Sequence, residues 1–129
     1  MIFKDSQHAW NPSPEEIRFW AYSNEKIPEQ DWELAVNSFE NIPMICSFID
    51  DDLCNRKAFF LGSLYVFTGD IIRSGESNKI VKLSTLLDSL VETAKSETLK
   101  AWIERSKHLI VNQEEYDYEY WGLGSKYVD

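Results

Sequence analysis

The stretch Leu53–Arg73, LCNRKAFFLGSLYVFTGDIIR, decides the fold of this chain. From Ala58 to Phe67 it reads AFFLGSLYVF, ten residues that are apolar on nearly every side. A helix that is hydrophobic all round is normally buried in a protein core. The run is too short to cross a bilayer, which takes about 20 residues. The sequence therefore predicts a central, buried helix in a small all-helical domain.

Charged residues lie at both ends of this central stretch. Three aspartates, Asp50–Asp52, precede it directly. Either Asp51 or Asp52 could cap the start of the helix, because a short acidic side chain accepts hydrogen bonds from the first backbone N–H groups. Near the other end, Asp70 and Arg73 are three residues apart, a spacing that predicts an ion pair along the helix surface.

The spacing of apolar residues predicts further helices on both sides of the central one. The first begins at Ser13-Pro14-Glu15-Glu16, a capping box with proline at the first helical position. The second begins near Pro28 and carries an apolar face at positions 0, 3, 4 and 7 of the helical repeat. That face consists of Trp32, Ala35, Val36 and Phe39. Residues 44–49 form either a short buried helix or one that continues around a corner, and the apolar spacing predicts two more helices over 80–94 and 96–112.

These patterns predict one all-α domain over residues 1–129, with about six helices. Helical hairpins of about 35–45 residues, stacked side by side, are typical of an α-solenoid of the HEAT-like type. A compact bundle fits the same pattern, and the sequence leaves both arrangements open. Strand-like alternation occurs only at Tyr116–Tyr120, where tyrosines alternate with acids.

The charge of the chain is strongly negative and unevenly placed. The formal net charge is −9, with −8 in residues 1–52, +3 in residues 53–112 and −4 in residues 113–129. Nucleic acids and anionic membranes attract Lys and Arg, so this composition disfavours direct binding to either. A basic protein partner is attracted instead, with fast, salt-sensitive association.

No motif in the chain indicates catalysis. The phosphate-binding, metalloprotease and serine-hydrolase signatures GxxxxGK[ST], HExxH and GxSxG are missing, as is GxGxxG. His8 and His108 are a hundred residues apart, and His108 has the surroundings of a solvated side chain. Cys46 and Cys54 are more typical of buried free thiols than of a bridge. Since the N-terminus resembles neither a secretory signal nor a lipidation motif, we expect a cytoplasmic, non-enzymatic protein without cofactor or metal.

Two acidic stretches are the candidate partner-binding sites. Asp50–Asp52 is either a helix cap with a solvated acidic corner or a contact point for a basic partner. Divalent cations need oxygen ligands spaced around a shell, and the Asp-x-Asp-x-Asp-Gly spacing of a calcium loop is missing. The C-terminal segment 113–129 is acidic and rich in tyrosine. Tyr and Trp are enriched in binding hot spots, but this segment could also pack its aromatic side chains inward. Its candidate residues are Glu114, Glu115, Tyr116, Asp117, Tyr118, Glu119, Tyr120 and Trp121.

Three stretches resemble the helical immunity proteins of bacterial contact-dependent growth inhibition systems, the CdiI type. They are EIRFWAY at Glu16–Tyr22, PxQDWEL at Pro28–Leu34, and RKAFF with LYVFTGD within Arg56–Asp70. The resemblance covers roughly residues 15–75 and consists of fold-type motifs. It implies a cytosolic inhibitor that binds a cognate toxin domain, often a nuclease, and blocks its active site.

The charge pattern fits the function that the resemblance implies. A basic nuclease presents Lys and Arg where substrate phosphates bind, and an acidic inhibitor can occupy that surface with aromatic anchors. A helical scaffold or adaptor that binds a protein or peptide along a concave face is the rival interpretation. An enzyme that uses the carboxylates of Asp50–Asp52 with a metal is a third.

Overall fold

The computed structural model describes residues 11–28 and 32–122. Within these ranges the chain forms helices and turns and no strand, which confirms the predicted all-α fold. The helices are α1 (Pro14–Ala21), α2 (Glu33–Val36), α3 (Ile42–Ile49), α4 (Lys57–Ser74), α5 (Ser77–Val91) and α6 (Glu97–Val111). A 3₁₀ turn, Gln113–Glu115, and a π-helical turn, Tyr118–Gly122, follow α6.

Helix α4 is the predicted central helix, and every residue from Phe60 to Gly69 is buried. It packs against α2, α3, α5, α6 and the π-helical turn. In a solenoid each repeat contacts only its neighbours along the chain. Because α4 also contacts α6 and the C-terminal turn, the helices form a compact bundle.

Helices α4 and α6 run in the same direction, with α5 returning between them. Trp102 Nε1 donates to the Leu64 carbonyl at 3.0 Å and lies 3.1 Å from Thr68 Oγ1. One turn further along both helices, the hydroxyls of Thr68 and Ser106 are 2.9 Å apart and buried. These contacts hold the two helices in a fixed register, because a buried hydroxyl without a partner is costly.

The first residues of the central stretch form a turn instead of helix. Helix α4 begins at Lys57, with Arg56 at its N-cap position and no side-chain cap, so Asp51 and Asp52 do not cap it. Leu53 is 79% exposed in this turn. The expected ion pair is also missing: Asp70 and Arg73 are both exposed, and no ion pair within the two described ranges joins them.

One other sequence prediction needs correction, and two are confirmed. The helix predicted from near Pro28 to Phe39 is shorter in the structure. Helix α2 ends at Val36 because Asn37 is extended, and Pro28 is not helical. Residues 29–31 lie outside the described ranges. The alternating residues 116–120 contain the start of the π-helical turn. Residues 44–49 belong to a short helix, α3, which begins two residues earlier at Ile42. Both cysteines are buried free thiols, and burial raises the pKa of Cys46 to about 12, which keeps that thiol protonated.

Candidate partner-binding surfaces

Each of the three consecutive aspartates contacts a different part of the molecule. The Asp50 carboxylate accepts hydrogen bonds from the backbone N–H groups of Lys95 and Ser96, both at 2.9 Å. It therefore ties the end of α3 to the turn before α6. Asp52 lies 3.5 Å from the ammonium of Lys57, and its side chain is fully exposed. Of the three, only Asp52 points entirely into solvent.

Asp51 holds the turn after α3 against the end of α1. Its carboxylate accepts a 2.6 Å hydrogen bond from the Tyr22 hydroxyl and a 2.9 Å hydrogen bond from the Leu53 N–H. The hydrogen bond from Tyr22 and the one from Leu53 hold the pKa of Asp51 below its usual range. Burial and the same hydrogen bond raise the pKa of Tyr22 to about 12. The Tyr22–Asp51 pair is thus a structural contact.

The aspartates line one side of an open groove of about 950 Å³. Its other side is the turn between α5 and α6, which contributes Glu92 and Lys95. Leu90 and Leu99 give the groove an apolar part. The sequence did not point to Glu92, because it lies 40 residues from the aspartates in the chain and only the fold brings them together.

The described part of the C-terminal segment, residues 113–122, is fixed to the body of the bundle by aromatic side chains. Trp121 is 5% exposed, and its ring centroid lies 5.2 Å from that of Tyr65 on α4. Tyr120 packs edge-on against the same Tyr65 ring at 5.6 Å. These inward contacts agree with the sequence interpretation in which the aromatic residues pack back onto the helices.

Gly69 lets the C-terminal segment pack closely against helix α4. A Cβ on Gly69 would lie 2.9 Å from Trp121 Cβ and 3.2 Å from Tyr116 Cε1. Real Cβ atoms hardly ever come within 3.0 Å of another heavy atom, so the close approach requires glycine. The Tyr116 hydroxyl is buried and has no hydrogen-bond partner among residues 11–28 and 32–122. Burial raises the pKa of Tyr116, and the charge of Arg73 opposes that shift.

The acidic side chains of the C-terminal segment face outward. Glu114, Glu115, Asp117 and Glu119 are all exposed, and so is Tyr118, at 55%. Asp117 Oδ1 accepts the Glu119 N–H at 3.1 Å, which fixes the turn between them. Glu115 Oε1 is 3.0 Å from Nε2 of the exposed His108 on α6. These exposed carboxylates therefore lie on a backbone that the aromatic contacts with α4 hold in place.

A hydrogen bond beneath the segment joins α6 to the central helix. Arg105 donates to the Tyr65 hydroxyl at 2.7 Å. Burial raises the pKa of Tyr65 to about 12, although the hydrogen bond from Arg105 opposes the shift. The same hydrogen bond raises the pKa of Arg105. Neither residue was a candidate from the sequence, since the contact joins positions 40 residues apart.

The two candidate surfaces lie at opposite ends of helix α6. Asp50 contacts Ser96, which caps the start of α6, whereas Glu115 contacts His108 in its last turn. Twelve residues separate Ser96 from His108, and at 1.5 Å per residue this corresponds to about 18 Å. The fold therefore separates the acidic groove from the C-terminal segment.

Other features of the described residues bear on metals and membranes. No group of three or more His, Cys, Asp and Glu side chains among residues 11–28 and 32–122 is arranged to hold a metal ion. In the same part of the chain, no helix combines the length and apolarity needed to cross a bilayer. His8 and residues 123–129 lie outside these ranges.

Comparisons with known proteins leave the family open. The chain matches no protein-family model, no curated protein and no solved structure.

Proposed function

We propose that this protein is an immunity protein, which binds a cognate toxin domain and neutralises it without catalysing a reaction. The observation that carries the proposal is the construction of the C-terminal segment. Trp121 and Tyr120 pack against Tyr65, while the carboxylates of the segment point outward. The resemblance of residues 15–75 to helical immunity proteins supports the same function.

A fixed acidic segment suits the binding of a basic protein. Association orders loops and side chains at a cost in free energy, and a preorganised segment reduces that cost. Complementary charge raises the association rate and disfavours partners of the wrong sign. Since the segment is anchored through Gly69 and Trp121, its carboxylates are presented before the partner arrives.

The favoured partner is a nuclease domain. A nuclease binds substrate phosphates through Lys and Arg, and carboxylates on a rigid frame can occupy the same positions. Tyr118, which is 55% exposed among these acids, is placed to serve as an aromatic contact. Binding of this kind blocks the toxin's active site.

The C-terminal segment is a stronger candidate contact surface than Asp50–Asp52. Asp50 and Asp51 are engaged in hydrogen bonds that hold the bundle together. Of the acids that line the groove, Asp52 and Glu92 are the exposed ones. The adaptor alternative, which binds a protein or peptide along a concave face, fits a compact bundle less well than a solenoid.

The experiment pairs this protein with the C-terminal domain of the protein encoded directly upstream. That domain is expressed from an inducible promoter in cells with and without this protein, and the two are then co-purified. We expect the domain to arrest growth alone, and this protein to restore growth and form a stable complex with it. A domain that is harmless, or one that arrests growth equally in both strains, contradicts the proposal.

A further inference from the structure

Tyr65 of the central helix belongs to a cluster of three aromatic rings. Its ring centroid lies 5.6 Å from that of Tyr120 and 5.2 Å from that of Trp121, and the last two are 5.3 Å apart. Tyr65 is fully buried and Trp121 almost so. The cluster joins α4 to the π-helical turn, so the position of the C-terminal segment depends on where the Tyr65 ring lies.

Arg105 reaches this cluster from helix α6. Its side chain donates the 2.7 Å hydrogen bond to the Tyr65 hydroxyl and, with Tyr120 and Trp121, lines a pocket of about 210 Å³. Tyr120 adds to the raised pKa of both Tyr65 and Arg105, behind burial for Tyr65 and behind their shared hydrogen bond for Arg105. The guanidinium and the two tyrosine hydroxyls therefore lie close together.

The buried hydroxyl of Tyr65 makes a strong donor valuable at this point. A buried hydroxyl that loses its partner costs free energy. A hydrogen bond from a charged donor is roughly twice as strong as one between neutral groups. A guanidinium also carries several N–H groups in one plane, so it can serve neighbouring acceptors at fixed angles. The hydrogen bond from Arg105 thus holds the hydroxyl end of the Tyr65 ring in one position.

We propose that Arg105 is a positioning residue for the acidic C-terminal segment. It holds the Tyr65 ring where Tyr120 and Trp121 pack against it, and so keeps the segment in the form that binds the toxin. Local segments of a protein open more readily than its core, and affinity falls with the fraction of molecules that are ready to bind. The role in toxin binding rests on the proposed function, whereas the positioning of the segment does not.

The charge of Arg105 allows this role to be separated from a purely electrostatic one. Arg105 is a cation beside a surface that we expect to bind a basic protein. If it contributed only its charge, its removal would strengthen the attraction between the two proteins. Loss of a positioning residue has the opposite effect, because the segment loosens and binding weakens.

Positioning is measured in the isolated protein by amide hydrogen exchange. The probe is the Trp121 N–H, which donates to the Asp117 carbonyl at 2.8 Å within the segment. We expect Arg105→Met to raise its exchange rate about tenfold, and Tyr65→Phe, which removes the hydroxyl but keeps the ring, to raise it similarly. The double variant should exchange no faster than the faster single variant, because both changes remove one interaction. Arg105→Lys, which keeps a charged donor, should restore part of the protection.

The matched control is Lys107→Met, which removes the same charge two residues further along α6. The Lys107 ammonium lies 2.9 Å from a carboxylate oxygen of Asp88 on α5, so exchange at Trp121 should not change. Unchanged exchange in Arg105→Met, an equal effect in the control, or additive effects in the double variant would each overturn the proposal.

Binding to the domain encoded upstream tests the second half of the proposal. We expect the dissociation constant to rise about twofold or more for Arg105→Met and Tyr65→Phe, and not to rise for Lys107→Met. Tighter binding of Arg105→Met would show that Arg105 acts by its charge and would overturn its role in binding. If the upstream domain does not bind at all, the proposed function fails while the exchange result still decides the positioning, so the two fail separately.

Discussion

Gly69 of the central helix lies directly beneath Trp121 of the C-terminal segment, so close that a Cβ on Gly69 would stand 2.9 Å from Trp121 Cβ. The acidic segment therefore packs against α4 at a position where the helix has no side chain. This contact links the most buried element of the fold to the surface that we propose binds the toxin.

The Gly69→Ala variant should lose stability and loosen the segment. Forcing an extra methyl group into a packed site costs about 1–3 kcal/mol, whereas alanine at a helical position otherwise stabilises by about 1 kcal/mol relative to glycine. Denaturant unfolding measures the net change, and amide hydrogen exchange of residues 116–122 reports the loosening. An unchanged or more stable variant with unaltered exchange contradicts the packing.

Replacing Asp50 with alanine should lower the free energy of unfolding much more than replacing Asp52 with alanine. Asp50→Ala removes the acceptor for the N–H groups of Lys95 and Ser96, which should cost about 1–3 kcal/mol. Asp52→Ala, at a fully exposed side chain, should stay within about 0.5 kcal/mol. Urea unfolding of the two variants decides this, and equal effects would show that Asp50 does not tie α3 to α6.

The Tyr22→Phe variant should show a pH-dependent loss of stability. The Tyr22 hydroxyl lowers the pKa of Asp51 from 3.8 in the folded state. A lowered carboxyl pKa stabilises the fold above the unfolded-state value, and that stability is lost as the pH falls through the folded-state value. The thermal stabilities of the two proteins should therefore differ at pH 7, and the difference should shrink as the pH falls below 3.8. A difference that does not shrink contradicts this origin.

The Asp70→Asn variant should gain stability at neutral pH. Burial raises the pKa of Asp70 above 3.8, although the charge of Arg73 opposes the shift. A raised carboxyl pKa favours the fold at low pH, and this contribution is lost as the pH rises through the folded-state value. In thermal unfolding, the variant should be more stable than the unaltered protein at pH 7, and the two should be equally stable at about pH 3. A variant that is less stable at pH 7 contradicts this account.

The sequence predicted most of the helices because their apolar spacing is a local property. Leu83, Leu87 and Leu90 are the buried residues of α5, and Trp32 and Val36 are fully buried at the predicted positions. The capping box at Ser13 is present with both of its hydrogen bonds. These features depend on residues a few positions apart.

The candidate surfaces could be predicted only in part, because long-range contacts decide them. Asp50 accepts from Ser96, which is 46 residues away, and no local pattern indicates that an aspartate is used in this way. The alternation of tyrosines and acids at Tyr116–Tyr120 resembles that of a strand, but these residues lead into a π-helical turn, and Trp121 packs against Gly69.

The central claim is that the acidic C-terminal segment carries binding of the toxin domain encoded upstream. The most direct measurement is the association rate of the two proteins at low and high salt, for two triple variants of equal charge change. In Glu114→Gln/Asp117→Asn/Glu119→Gln we predict association about tenfold slower at low salt, with a flatter salt dependence. In Asp52→Asn/Glu92→Gln/Glu97→Gln, whose changes lie at the opposite end of α6, we predict an almost unchanged rate. Equal rates for the two variants, or a larger loss in the second, would contradict the claim.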